Sequence, residues 1–317
     1  MRGVRVAAVA AGVVAAIAVV TFLVWPDQQV QPIAAPTAFP TATADGAVAT
    51  PTPQQSSTPT PSPSAKRKGC AAEPSACGYP DSTTTGVPAG TALTVVSGDL
   101  TITKKGAVVS GKDIRGCVLV KAPNVTIRKS KITCTSYYGI GSFAEEYAGG
   151  GLLVEDVEID CKNHNTTGIG YYGAKVRRAN IHGCENGFDI DDTMTIEDSY
   201  IHDLYEGATG HSDGAQFAGG AHIVLRHNTI FNPGGTSAII SHPTGNSDVL
   251  ITDNFLAGGA YTLYCPREKS TAFRVIGNRF GRQFSAKGGA YGAWDSCGKI
   301  AERRGNFWDD TLKAVAS

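Results

Sequence analysis

The amino-acid sequence predicts an all-β chain folded as a single right-handed parallel β-helix. Three observations lead there: an eight-residue pattern recurs between residues 125 and 280, a short second strand precedes most copies, and no long helical periodicity appears beyond residue 70. The pattern reads VTIRKSKI at 125, LLVEDVEI at 152, AKVRRANI at 174, MTIEDSYI at 194, IVLRHNTI at 223, VLITDNFL at 249 and FRVIGNRF at 273. Its first, third and eighth positions are apolar in every copy. Positions one and three share a face of a strand, and the sixth, small or Asn in most copies, is expected to permit a tight bend before the next apolar anchor. Copies start 20 to 29 residues apart, the length of a β-solenoid coil, and the chirality of parallel crossovers makes the winding right-handed. An antiparallel sandwich would show hairpin alternation instead.

Three regions follow in order. Residues 1–25 contain a 20-residue, mostly apolar run from Val6 to Trp25 behind Arg2 and Arg5. This is long enough to span a bilayer, with the arginines on the cytoplasmic side, and reads as a signal anchor or a cleaved signal peptide. Residues 26–69, rich in Pro, Thr, Ser, Ala and Gln, cannot bury enough apolar surface to fold and read as an extended stalk. Residues 70–317 form the β-helix domain. The chain is expected outside the cytoplasm, membrane-anchored or secreted, and as a monomer. With 28 basic and 28 acidic residues it lacks the electrostatic footprint of a nucleic-acid binder.

The second strands are GIGSF at 139, GIGYY at 168, GFDID at 187, GAQF at 214, SAIIS at 237, AYTLY at 260 and AYGAW at 290. GIGYYG matches a dinucleotide-loop spacing, but strand-like AKVRRANI follows it where a helix would be needed. The segment HSDGAQF, residues 211–217, is thereby one rung of a ladder whose neighbouring rungs lie about 4.8 Å apart. With this repeat, and with CGYPDSTTTGVPAGTALT and GNFWDD near its two ends, the chain resembles exported bacterial β-helix proteins of the pectate-lyase-like superfamily. That resemblance implies a carbohydrate-directed surface and leaves activity open, because the fold serves lyases, hydrolases, epimerases and non-catalytic surface proteins.

All eight cysteines lie in the β-helix region, as suits an exported, disulfide-bonded domain. Cys161 and Cys184 close successive repeats, and Cys265 and Cys297 are similarly related. Bridges 161–184 and 265–297 are therefore expected, with 70–77 and 117–134 as the other two pairs.

Candidate chemistry comes from aligning the second strands. With Phe188 and Ile190 inward, Asp189 and Asp191 face outward, and Gln216 falls beside Asp189 on the next coil. His211 and Asp213 are expected on the same outward line. Tyr172 takes an outward place one coil earlier, while Ile239 or Ser241 and then Thr262 take those that follow, with His242 and Arg267 in the loops beyond. On this reading His211, Asp213, Asp189, Asp191, His242 and Arg267 are the catalytic candidates, and Gln216, Tyr172 and Glu206 contact substrate. Paired carboxylates suit glycosidic hydrolysis. A histidine base with a cation such as Arg267 suits a uronate lyase. Asp189, Asp191 and Asp213 are also oxygen ligands of the kind calcium takes, which makes Ca2+ a candidate cofactor. The expected partner is a polysaccharide or cell-surface glycan, cleaved or merely bound, and the membrane is a second partner if the N-terminal segment is retained.

Overall fold

Three parallel sheets stack along one axis. The first takes the opening half of each repeat, as in Ala174–Arg177, Met194–Glu197, Ala221–Arg226, Ser247–Thr252, Phe273–Ile276 and Glu302–Arg304. The second takes its closing half, as in Tyr200–His202, Thr229–Asn232, Phe255–Gly258, Arg279–Phe280 and Phe307–Trp308. The third takes the second strands: Tyr138–Ser142, Asp213–Phe217, Ser237–Ser241, Tyr261–Tyr264 and Gly292–Asp295. Two strands, Leu152–Tyr171 and Asn180–Ile190, run through the corner into the third sheet. This computed structural model describes residues 68–143, 150–207, 211–217, 219–242, 246–267 and 272–316. The apolar segment 1–25 and nearly all of the stalk lie outside the described residues, and among those described no helix is long and apolar enough to cross a membrane.

The repeat explains the winding. Third-position residues Ile127, Val154, Val176, Ile196, Leu225, Ile251 and Val275 are fully buried, as are eighth-position residues Ile132, Ile159, Ile181, Ile201, Ile230, Leu256 and Phe280. The bend, however, falls one residue earlier than the sequence suggests. It is the fifth position that turns left-handed: φ is 47° at Lys129, 54° at Asp156, 50° at Arg178, 52° at Asp198, 55° at His227, 53° at Asp253 and 70° at Gly277. A left-handed residue reverses the side-chain alternation, so the sixth side chain is thrown into the core. There Asn228, Asn254 and Asn278 are fully buried, and with Asn306 they form a ladder along the axis. Register adds two copies of the repeat, at 107 (AVVSGKDI) and 301 (AERRGNFW), in which Gly111 and Gly305 are the left-handed residues.

The cysteines form four bridges: Cys70–Cys77, Cys117–Cys134, Cys161–Cys184 and Cys265–Cys297. Residues 69–92 make a strap that runs back along the flank. It starts at the last coil, where Cys70 N–H donates to Asp309 Oδ1 at 3.0 Å, and passes Tyr79, whose ring sits 5.4 Å from Phe255. It then meets Arg178, whose carbonyl accepts from Gly86 N–H at 2.9 Å, and feeds the first coil at Thr94. Beneath its start a buried Arg279–Asp309 ion pair closes at 2.6 Å.

Candidate functional site

The third sheet carries an outward row in register from coil to coil: Leu119, Gly141, Gly170, Asp189, Gln216, Ile240, Tyr264 and Asp295. The row follows strand alternation from inward-facing Phe188, Ala215, Ile239 and Leu263, all fully buried. Asp189 and Gln216 thus stand side by side, as the alignment of second strands implies. Past them the outward places belong to Ile240 and Tyr264, not to Ile239 or Ser241 and Thr262. Thr262 is itself fully buried, because it falls level with the buried Ala238 at the corner, two residues before Tyr264 on the row.

At the centre of the row Thr167 Oγ1 donates to Asp189 Oδ2 at 2.9 Å, and Gln216 Nε2 donates to Asp189 Oδ1. Gln216 Oε1 lies 3.4 Å from His242 Nε2. Burial raises the Asp189 carboxyl above the usual aspartate range, partly offset by these two donors. Asp191 sits two residues on, half-buried at the end of the strand, where its N–H donates to the Tyr171 carbonyl at 3.3 Å.

Toward the first coils an aromatic shelf adjoins the acids. Tyr138 lies 5.0 Å from Tyr171 and 6.2 Å from Phe143 between ring centres, Phe143 lies 5.6 Å from Tyr171, and Tyr172 continues the shelf 5.8 Å beyond Tyr171. The Tyr138 and Tyr171 hydroxyls are hydrogen-bonded. Burial, and then that bond, push the Tyr138 phenol far above its ordinary range. The Tyr138 ring covers Gly170, where a Cβ would meet it at 3.2 Å. Past the shelf a cleft of about 310 Å³ opens, lined by Asp99, Thr101, Leu119, Tyr137, Tyr138 and Phe143.

One edge of the row holds His211 and Asp213, and here the structure corrects the sequence. Asp213 is not on the outward line with Asp189 but three residues before Gln216, in register with Asn186 and Ser237, and it is fully buried. The next residue explains this placement: a Cβ on Gly214 would strike Ile230 and the Ala238 carbonyl, so the backbone is pressed against the core at this corner. Ser237 Oγ donates to Asp213 Oδ1. Asp213 Oδ2 has no hydrogen-bond partner among the described residues, and the exposed His211 stands 3.7 Å from it through Nδ1. That distance is too long for a hydrogen bond but within strong Coulombic reach. Burial raises the Asp213 pKa to about 6, against the opposing pull of Ser237 and His211. Glu185, half-buried beside the same corner, is likewise raised by burial and feels the His211 charge.

Three expectations do not converge on the site. Arg267 is exposed beyond Cys265, where its carbonyl accepts from Lys299, and it makes no ion pair among the described residues. Glu206 is exposed near Gly234, at the coil edge. Asp189, Asp191 and Asp213 do not form a calcium cage: among the described residues no three His, Cys, Asp or Glu side chains converge as a metal site. Asp189 already accepts from Thr167 and Gln216, and Asp213 belongs to a different register, whereas calcium needs six or more converging oxygens. Conversely, Glu185, Thr167, Tyr138, Tyr171 and Phe143 belong to the site although the sequence reading does not reach them. Tyr138 and Tyr171 are legible in principle, as aromatics flanking two aligned GIG strands.

No family model and no curated protein matches the chain. Among solved structures, the crystal structure of the Dettilon tailspike protein (gp208) is similar at 14% identity, over 68% of this chain and 54% of that one, with a TM-score of 0.23. The chain thus corresponds to about half of that protein's length.

Proposed function

We propose that this protein is an extracytoplasmic polysaccharide hydrolase whose substrate lies along the outward row of the third sheet. The observation that carries this reading is the buried Asp213 Oδ2, without a hydrogen-bond partner among the described residues, behind the exposed His211, at one edge of a row whose other end is an aromatic shelf and cleft. Aromatic rings offer sugar rings flat apolar faces while their hydroxyls stay hydrogen-bonded. His211, with the Asp213 carboxylate 3.7 Å behind it, takes a proton from an attacking water, and Glu185, whose carboxyl burial raises above the usual glutamate range, gives one to the departing glycosidic oxygen. Hydrolysis is favoured over elimination because the row, among the described residues, holds no lysine or arginine to neutralise a uronate carboxylate. Four disulfides point to an oxidising, extracellular setting, and the apolar segment 6–25 supplies export or an anchor. The pectate-lyase-like resemblance belongs to this reading as fold context.

A second reading, a non-catalytic glycan-binding module, is favoured by one observation: both oxygens of Asp189, the acid at the centre of the row, already accept protein hydrogen bonds. The test that separates the two is release of new reducing ends from a panel of polysaccharides by the full-length protein. His211→Gln is expected to slow release by roughly 10²- to 10⁴-fold while leaving glycan affinity within about twofold, since this group acts in proton transfer. Unsaturated products would establish elimination instead. Binding without any cleavage would leave the non-catalytic reading.

A further inference from the structure

The two ends of the solenoid are finished differently. At the last coil the chain folds over the end: Phe307 bridges Ala314 in antiparallel fashion, Trp308 N–H donates to the Lys313 carbonyl at 2.9 Å, and Val315 is buried against the core. The first coil has no such cover among the described residues. Its three strands, Thr94–Ser97, Leu100–Ile102 and Val108–Ser110, lie one in each sheet and pair only with the second coil. Val96, Leu100 and Val109 head core columns whose next members, Ile114, Val118 and Ile127, are buried, yet they are themselves only partly buried. At the rim Leu93, Val95 and Val108 are exposed, Val108 to 59%. Backbone groups are open there as well. Thr94 and Leu100 donate their N–H groups back to the second coil, and the Ala107 carbonyl accepts from Thr126 there. By alternation the backbone groups of Val95, Thr101 and Val108 point off the end. Proteins guard such an edge with charged residues or proline, but these strands read TVVS, LTI and VVS.

We propose that the first coil docks on the first coil of a second copy, across a two-fold axis that passes beside Thr101. Head-to-tail stacking is blocked by the sealed last coil, which leaves a closed, symmetric pair. About this axis the two Leu100–Ile102 strands run antiparallel, and their Thr101 residues exchange N–H and C=O bonds. The same rotation swaps the first and second sheets, so Thr94–Ser97 of each copy meets Val108–Ser110 of the other, with Val95 beside Val108. It also swaps the corners at the two ends of the third-sheet strand. Asp99 at one corner then faces Lys104 and Lys105 at the other; all three are exposed and form no ion pair among the described residues. This complementarity of the end with itself selects a second copy as the occupant. The stalk, interrupted by proline from Pro26 to Pro63, is poorly suited to add a strand of its own. A dimer thus takes the place of the monomer expected from the sequence, and the two clefts, each lined by Asp99 and Thr101, adjoin across the axis. The pairing goes beyond the proposed hydrolysis and does not depend on it.

The test is sedimentation of the full-length protein in detergent, where the native protein at micromolar concentration is expected to show twice the mass of one chain. Val95→Lys with Val108→Lys sets like charges opposite each other and is expected to leave a monomer. Both side chains are exposed, so the fold survives the change. Val95→Lys with Val108→Glu is expected to keep the dimer, because the facing charges are then opposite. Lys104→Glu with Lys105→Glu confronts Asp99 with its own sign and is expected to weaken association by about tenfold or more. Ala301→Lys at the sealed end is expected to change nothing. Hydrogen exchange gives the position: the amides of Val95, Thr101 and Val108 are expected to exchange slowly in the native protein and fast in the double-lysine variant. A native monomer overturns the proposal. So does a dimer that survives Val95→Lys with Val108→Lys, which would place the contact elsewhere, as in the apolar segment 6–25. Slow exchange of those amides in a monomer would show that the chain covers its own end, and would overturn it too. Release of reducing ends tests the proposed function separately.

Discussion

Two columns of side chains run along the same axis at the same coil spacing, and they treat polarity in opposite ways. In the core ladder every amide atom is used. Asn254 Nδ2 donates to the Leu225 carbonyl and to Asn278 Oδ1, each at 2.9 Å, and Asn254 Oδ1 accepts from the Asn228 backbone and the Asn228 amide. Asn278 repeats the arrangement one coil on. On the outward row Asp189, Gln216 and His242 bond one another at a half-buried surface, while Asp213 at its edge buries an oxygen with no hydrogen-bond partner among the described residues. Full satisfaction is what structure asks of buried polar groups, and departures from it mark a place held for something else.

The comparison can be broken by making equivalent deletions in the two columns. Asn254→Ala is expected to cost about 3 kcal/mol or more. It strips partners from the Asn228 N–H, the Asn228 amide and the Leu225 carbonyl in a dry core, at roughly 1–3 kcal/mol for each buried group left unpaired; the midpoint of chemical denaturation reads it. Gln216→Ala removes an amide from the half-buried row, where water replaces its bonds to Asp189, and is expected to cost under about 1 kcal/mol in the same titration. Equal costs at the two sites would erase the distinction between scaffold and site.

Much of the fold is legible because the solenoid repeats itself. The seven copies between 125 and 280 each restate the apolar first, third and eighth positions, and errors in one copy are corrected by the others. What the pattern hides is local. The left-handed fifth residue is Lys, Asp, Arg, His or Gly, types with no common signature, so the sequence points instead to the more uniform sixth position. The pairing of Asp189 with Gln216 follows from alternation alone. Asp213 does not, because alternation fails at the corner where Gly214 presses against Ile230, and a one-residue change there moves a side chain from surface to interior. Of the aromatic shelf, Tyr138 and Tyr171 are legible as aromatics flanking aligned GIG strands, whereas the approach of Phe143 to Tyr171 on the next coil is not.

The central claim is that Asp213 is kept for chemistry at the expense of the fold. Its folded-state pKa of about 6 lies above the ordinary aspartate value of 3.8, so the folded chain holds this proton more tightly than the unfolded one. Stability therefore falls as pH rises through the window between those two values, and the deficit is fully present above it, on the order of 3 kcal/mol for a rise of that size. The side chains whose charges act on it are His211, Asp189 and Glu185. The decisive measurement is the unfolding free energy of the native protein and Asp213→Asn at pH 8 and at pH 4. Asp213→Asn is expected to be the more stable of the two at pH 8, by about 1–3 kcal/mol, and indistinguishable at pH 4. A variant that is less stable than the native protein at pH 8 would show that Asp213 serves the scaffold, and would contradict the account.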